Sequence, residues 1–157
     1  MSKARLFIKY WLPALIWMAV IFSASADSKS SQHSSHLLVP ILRWLFPNLS
    51  EDAIDATVTG ARKCAHLTEY AVLALLFWRA LRKPVKSDPR PWSWADARLA
   101  ILLVALYAAS DEFHQLFVPT RDATVRDVVI DTIGGTLGLV FLWAVGRWRK
   151  LWGRHAS

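Results

Sequence analysis

The sequence predicts an all-α membrane protein, a four-transmembrane-helix bundle with an interfacial helical segment between the first and second spans. Three observations predict it. Hydrophobic residues make up 54% of the 157 residues. Four apolar stretches approach the length of about 20 residues that a helix needs to cross a bilayer. Lys and Arg flank these stretches instead of forming one polar face, although the net charge is +7. A single membrane domain over residues 1–157 follows, with no nucleic-acid partner.

The four predicted spans cover residues 6–23, 65–81, 99–118 and 125–145. Each is short or contains polar residues, so the prediction depends on the four together. The first span has an alternative. Lys3, Arg5 and Lys9 precede an apolar run that ends in Ala24-Ser25-Ala26, which is also the pattern of a cleaved signal peptide. Cleavage would leave three spans and invert the predicted orientation.

The orientation follows from the basic residues between the spans. Thirteen of the 19 Lys and Arg residues lie in the N-terminal segment, the second connection and the C-terminal segment. Both termini are therefore predicted to be cytoplasmic, in a multi-pass protein of the cell membrane. Tryptophans, which favour the membrane interface, fall near the same boundary: Trp11, Trp78, Trp92, Trp94, Trp148 and Trp152.

The first connection predicts the interfacial segment, over residues 37–62. Its apolar part is too short for a span and is interrupted by Pro40 and followed by Pro47. Residues 51–63 then predict a short amphipathic helix that leads into the second span, with Ser50 as its N-cap.

Polar residues collect where three predicted spans meet the extracytoplasmic side. Charged groups inside spans are costly and usually face a bundle interior or a cavity, so they are functional candidates. The candidates for catalysis are His66, Glu69, Asp111, Glu112 and Asp127, and those for ligand binding are Lys63, His66, Tyr70, Glu112, Gln115, Arg121, Asp127 and Asp131. On the fourth span, Asp127, Asp131, Gly134 and Gly138 share one face, and the GxxxG spacing allows close helix packing.

Three interpretations of this cluster remain open. It forms a binding or catalytic pocket, in which His66 beside Glu69 acts as a general base. Alternatively, Lys63 or Arg121 neutralises the carboxylates in a structural ion-pair network, and the protein is a non-enzymatic interaction protein. A third alternative is a metal-dependent membrane hydrolase, because His66 and Glu69 have i,i+3 ligand spacing. We predict no bound metal, because the paired Glu-x-x-His repeats of a di-metal bundle are absent, and no cofactor, because no phosphate loop or dinucleotide-binding motif is present.

Three sequence blocks carry a family resemblance: RKCAHLTEY at residues 62–70, SDEFHQLFVPTR at 110–121 and DVVIDTIGG at 127–135. With them the chain resembles the VanZ-like family of small integral membrane proteins over about residues 10–145. The Ser-rich stretch after the first span is similar to the family too, which argues against a cleaved signal peptide. Asp131 departs from the family pattern, which more often has Asn there.

The resemblance implies a multi-span membrane protein, some of whose relatives lower susceptibility to teicoplanin and related glycopeptide antibiotics. From the residues, Lys63 and Arg121 suit an anionic group. Besides the bilayer itself, the predicted partner is therefore a phospholipid-like or undecaprenyl-linked anionic lipid at the outer leaflet, and the family supplies the direction towards the cell wall. Whether the protein is an enzyme is left open.

Overall fold

A computed structural model describes residues 2–26, 30–84, 90–117 and 124–152 of the chain. These residues form helices, turns and short connections, with no strand among them. The helices are α1 (Lys3–Ala26), α2 (Ser30–Leu45), α3 (Glu51–Arg82), α4 (Trp94–Gln115) and α5 (Val125–Trp148). The predicted all-α class is therefore confirmed.

Helix α3 lies at the centre of the bundle and contacts all four other helices. Its buried residues Tyr70, Leu73, Ala74 and Phe77 form much of the core, together with small residues such as Ala100 of α4. Large apolar side chains remain exposed on the outer faces of α1, α4 and α5: Phe7, Ile8, Leu15, Ile16, Leu102, Leu106, Leu137 and Phe141. Apolar outer surfaces on this scale are typical of proteins that are surrounded by lipid.

Within the described ranges, three helices are long and apolar enough to cross a membrane: α1, α3 and α5. Three of the four predicted spans therefore correspond to span-capable helices. The other, α4, carries Arg98 near one end and Asp111 and Glu112 near the other, which leaves only residues 99–110 without charge. It nevertheless packs against α3, α5 and α1 as a full member of the bundle.

The first connection differs from the prediction in two ways. Helix α2 runs through Pro40 instead of being interrupted there, although an interior proline removes one backbone donor and crowds the preceding turn. The predicted short helix over residues 51–63 and the second span are one continuous helix, α3, since no Gly or Pro stands between Gly60 and Pro84. The predicted interfacial segment is thus a helix, a turn at residues 46–50 and the first half of α3.

Two helix boundaries bear on the site. Ser50 caps α3 as predicted, because its side-chain oxygen accepts from the backbone N–H of Ala53. Helix α4 ends at Gln115, three residues before the predicted end of the third span, and residues 116–117 form a turn. Residues 118–123, which include the predicted turn and Arg121, lie outside the described residues.

The glycine face of α5 packs directly on α3. A Cβ atom placed at Gly134 would lie 2.6 Å from the carbonyl oxygen of Leu67, and one at Gly138 would lie 2.9 Å from that of Ala71. Only glycine fits such an approach, because any side chain would push the two backbones apart. The predicted close contact of the GxxxG face is therefore present, and it brings α5 beside the segment of α3 that carries His66 and Tyr70.

Candidate functional site

A cluster of polar side chains lies where α1 and α4 end and α5 begins, against the middle of α3. We call it the polar cluster and define it by Ser25, His66, Glu69, Tyr70, Asp111, Glu112, Gln115, Asp127 and Asp131. Four of these residues lie on α4 or α5 and are buried although their side chains are polar or charged: Asp111, Glu112, Gln115 and Asp131. Their position follows from topology, because α4 and α5 are antiparallel neighbours joined at this end.

Asp111 is the centre of the polar cluster. Its Oδ2 atom accepts hydrogen bonds from the hydroxyl of Ser25 at 2.6 Å, from the side-chain amide of Gln115 at 3.3 Å and from the hydroxyl of Tyr70 at 3.5 Å. All four side chains are at least 95% buried. Among the described residues, Oδ1 of the same carboxyl group has no hydrogen-bond partner. One carboxylate oxygen therefore joins α1, α3 and α4, while the other remains available as an acceptor.

Glu112 and Asp127 hold the start of α5. Oε2 of Glu112 accepts from the backbone N–H of Thr124 at 2.9 Å. Thr124 is the N-cap of α5: its hydroxyl accepts from the N–H of Asp127 and donates to the Asp127 carboxylate at 2.8 Å. Unpaired N–H groups and the helix dipole favour negative charge at a helix N-terminus. These two acids therefore have a structural reason for their positions.

His66 and Glu69 form the accessible edge of the polar cluster. The distance between Nδ1 of His66 and Oε2 of Glu69 is 3.7 Å, which is an ion-pair distance and too long for a hydrogen bond. Both side chains are about two-thirds buried. The backbone carbonyl of Glu69 accepts from the indole N–H of Trp17, which fixes this turn of α3 against α1. Of the predicted acid–base residues, this pair is the one with solvent access on both members.

Asp131 completes the carboxylate group one turn into α5. It is buried on the same face as Gly134 and Gly138, as the spacing predicted. Four other carboxylates act on it electrostatically: Glu69, Asp111, Glu112 and Asp127. The structure thus brings the other four predicted carboxylates within electrostatic range of Asp131.

The described part of the chain supplies no Lys or Arg to these carboxylates. Lys63 is exposed on α3, one turn before His66, and has no ion pair within the described ranges. Arg121, the other predicted cation, is outside them. Among the described residues, Lys63 therefore forms no ion pair with the polar cluster, and the alternative of neutralisation by Arg121 stays open.

A sequence model of a known family matches residues 10–146 and is described as VanZ/LLP1. The chain belongs to this family. The resemblance carried by the three sequence blocks is therefore confirmed, and the polar cluster of this VanZ/LLP1 chain lies within the matched residues. Comparisons with curated proteins and with solved structures give no match.

Three residues of the VanZ/LLP1 chain join the site although the sequence did not single them out: Ser25, Tyr107 and Thr124. Tyr107 donates to the carbonyl of Met18 at 2.6 Å, and its ring centre lies 6.2 Å from that of Tyr70. Its i−4 relation to Asp111 could have indicated it. Thr124 had the signature of an N-cap before an acidic first turn. Ser25 gave no such signal, because its partner is 86 positions away.

One further observation limits the chemistry of the site. Among the described residues, no three His, Cys, Asp or Glu side chains are arranged to hold a metal ion. The metal-dependent alternative thus gains no support from the geometry.

His114 is a residue to which the sequence assigned no role. The centre of its ring lies 4.4 Å from that of Phe22, and its Nδ1 atom has no hydrogen-bond partner within the described ranges.

Proposed function

We propose that this VanZ/LLP1-family protein crosses the cell membrane four times with both termini in the cytoplasm, and that α4 is one of the spans. A helix rises about 1.5 Å per residue, so the 22 residues of α4 are about 33 Å long, close to the thickness of a bilayer core. Its charged residues lie near its two ends: Asp96 and Arg98 at one, and Asp111 and Glu112, which are buried inside the bundle, at the other. The excess of Lys and Arg at the end opposite the polar cluster supports the orientation.

We further propose that α2 is the interfacial segment. Its last turn and the residue after it expose large apolar side chains to the surroundings: Ile41, Trp44, Leu45 and Phe46. Arg43, in the same turn, pairs with Glu51 at 2.8 Å and fixes this end of α2 against the start of α3. An amphipathic helix of this kind is typical of the boundary between headgroups and acyl chains.

For the polar cluster we propose a binding site for the head of an envelope lipid or of a lipid-linked cell-wall precursor. The observation that carries the proposal is Asp111, whose free Oδ1 atom is an acceptor inside a cluster with four other carboxylates. Hydroxyl, amide or ammonium groups of a head suit these acceptors. A phosphate would be repelled by them, so we place it at the rim, where Lys63 is exposed one turn before His66. Arg121 remains a predicted second cation for it.

The biological role that we propose is protection of the cell envelope against glycopeptide-type antibiotics such as teicoplanin, in keeping with the family. The test compares Glu112→Gln and His66→Ala in a teicoplanin susceptibility assay, with protein levels in the membrane measured in parallel. Asp96→Asn is the matched control, because it removes a carboxylate from the other end of α4. We expect both cluster variants to accumulate and to lose protection while the control keeps it.

If both cluster variants accumulate and protect fully, the site is only structural. This second candidate has an observation in its favour, namely that Glu112 and Asp127 hold the N-terminus of α5. Loss of protection in His66→Ala with normal accumulation argues against it, since His66 bonds no other described element. Loss of protection with retained lipid binding by the purified variant would indicate an enzymatic step.

A further inference from the structure

The opposite end of the bundle carries a cavity that the polar cluster does not involve. It lies between α4 and α5, has a volume of about 290 Å³, and is lined almost entirely by apolar and aromatic side chains. We call it the α4–α5 cavity. Its lining residues include Trp92, Trp94, Arg98, Thr136, Val140 and Trp143.

The walls of this cavity are fixed by an aromatic cluster. The rings of Trp92 and Trp94 are 5.9 Å apart, and those of Trp94 and Trp143 are also 5.9 Å apart. Thr136 donates its hydroxyl to the carbonyl of Thr132 at 2.9 Å, so this polar group of the lining is already satisfied within its own helix. The cavity is therefore an apolar slot whose shape is set before any ligand binds.

The cavity opens onto the outer apolar surface of the bundle. Val140 lines it and is half exposed, and Leu137 and Phe141, which flank Val140 on α5, are exposed as well. In the proposed membrane arrangement, this surface contacts lipid. A lipid acyl chain is consequently the group that meets the opening. The volume of the cavity is just below the range of about 300–1,000 Å³ that is usual for pockets that enclose a complete small molecule.

Two guanidinium groups stand at the basic end of the same slot. Arg98 lines the cavity, is exposed, and has no hydrogen bond or ion pair in the part of the chain that the structure describes. Arg147, also exposed, lies 6.0 Å above the ring of Trp143. Arg guanidinium groups bind phosphate oxygens with good geometry. The α4–α5 cavity thus provides an apolar surface for a lipid acyl chain and two cationic side chains for an anionic headgroup.

We propose that the α4–α5 cavity binds one acyl chain of an anionic phospholipid, whose phosphate contacts Arg98 and Arg147. This site is separate from the proposed function of the polar cluster. With the proposed orientation, the lipid comes from the cytoplasmic leaflet.

The test is native mass spectrometry of the purified full-length protein in detergent, with added phosphatidylglycerol or phosphatidylcholine. We expect one phosphatidylglycerol per chain to be retained under conditions that release phosphatidylcholine. Arg98→Gln should weaken this binding about fivefold, because one basic residue near an anionic lipid contributes about 1 kcal/mol. The matched control is Arg126→Gln, which removes an exposed arginine at the other end of α5 and should have no effect.

The apolar half of the proposal needs its own variants. Val140→Phe and Thr136→Leu each fill the cavity from an exposed position, so the fold should tolerate them. Leu137→Phe adds the same ring on the same helix outside the lining and is the control. We expect both filling variants to abolish the retained adduct and the control to keep it. Equal retention of the two lipids, equal effects of the two arginine variants, or an adduct that survives both filling variants would each overturn the proposal.

Discussion

Ser25 and Asp111 are 86 positions apart in the sequence, and a buried hydrogen bond of 2.6 Å joins their side chains. It connects the end of α1 to the end of α4 and supplies the shortest of the three bonds to Asp111 Oδ2. A buried carboxylate depends on such donors, because no water replaces them. The stability of this end of the bundle therefore depends on a serine that the sequence gave no reason to select.

We expect Ser25→Ala to lower the free energy of unfolding by about 1–3 kcal/mol, the usual cost of removing one partner from a buried polar group. Thermal unfolding of the purified protein in detergent measures it. The matched control is Ser23→Ala, which removes an exposed hydroxyl that bonds only to the carbonyl of Ala19 in the same helix. Equal stability of the two variants would contradict the importance of the bond to Asp111.

The contact between α5 and α3 predicts opposite effects for two Gly→Ala substitutions. Gly134→Ala places its Cβ 2.6 Å from a backbone oxygen of α3 and should cost about 1–3 kcal/mol, as overpacking does. Gly60→Ala has nothing within 4 Å and should stabilise α3 by about 0.5–1 kcal/mol through helix propensity. Both are measured by unfolding in the same detergent. A neutral Gly134→Ala would show that the helices do not approach as described.

The N-cap of α5 predicts different effects for two substitutions of Thr124. Thr124→Ala should destabilise the protein by about 1 kcal/mol, since both bonds to Asp127 are lost, whereas Thr124→Ser should retain most of them. Thr57→Ala is the control, because Thr57 is solvent-exposed, lies away from the ends of α3 and bonds only to the carbonyl of Ala53 in the same helix. It should be neutral or slightly stabilising. Destabilisation by Thr57→Ala of the same size would assign the effect to general loss of threonine.

The single cysteine allows a direct test of the orientation. Cys64 is exposed on α3 near the polar cluster, so in the proposed topology a membrane-impermeant maleimide should label it in intact cells. A second variant, which combines Cys64→Ser with Ser157→Cys, should be labelled only after the membrane is permeabilised. Cys64→Ser alone reports background. The reverse pattern would require inverted spans.

Periodicity explains which parts of the site were predictable. Asp131, Gly134 and Gly138 share a helix face in any α-helix, so their joint burial followed from spacing alone. Ser50 and the acidic turn after it likewise marked the start of α3. The continuity of α3 was missed because its polar first half and apolar second half suggested two elements. A change in polarity marks a change of surroundings and does not by itself end a helix, as the continuous course of α3 shows.

Contacts between helices could not be predicted from the sequence alone. Ser25 became part of the site through the packing of α1 on α4, and no spacing rule reaches across 86 positions. Lys63 was predicted to join the carboxylates because it shares a face with His66, yet it remains exposed. Adjacent positions on one helix differ in burial when the neighbouring helices end between them, and α1, α4 and α5 all have their ends near this level.

The uninterrupted course of α3 has a mechanical consequence. Its 32 residues form a rod about 48 Å long, and the same rod carries the α2 contact near one end, His66 and Glu69 in its middle and the tryptophan-rich end at the other. A helix without proline resists bending. Any tilt of α3 in the membrane would therefore displace the α2 contact and the His66–Glu69 pair together, because one unbroken helix carries both.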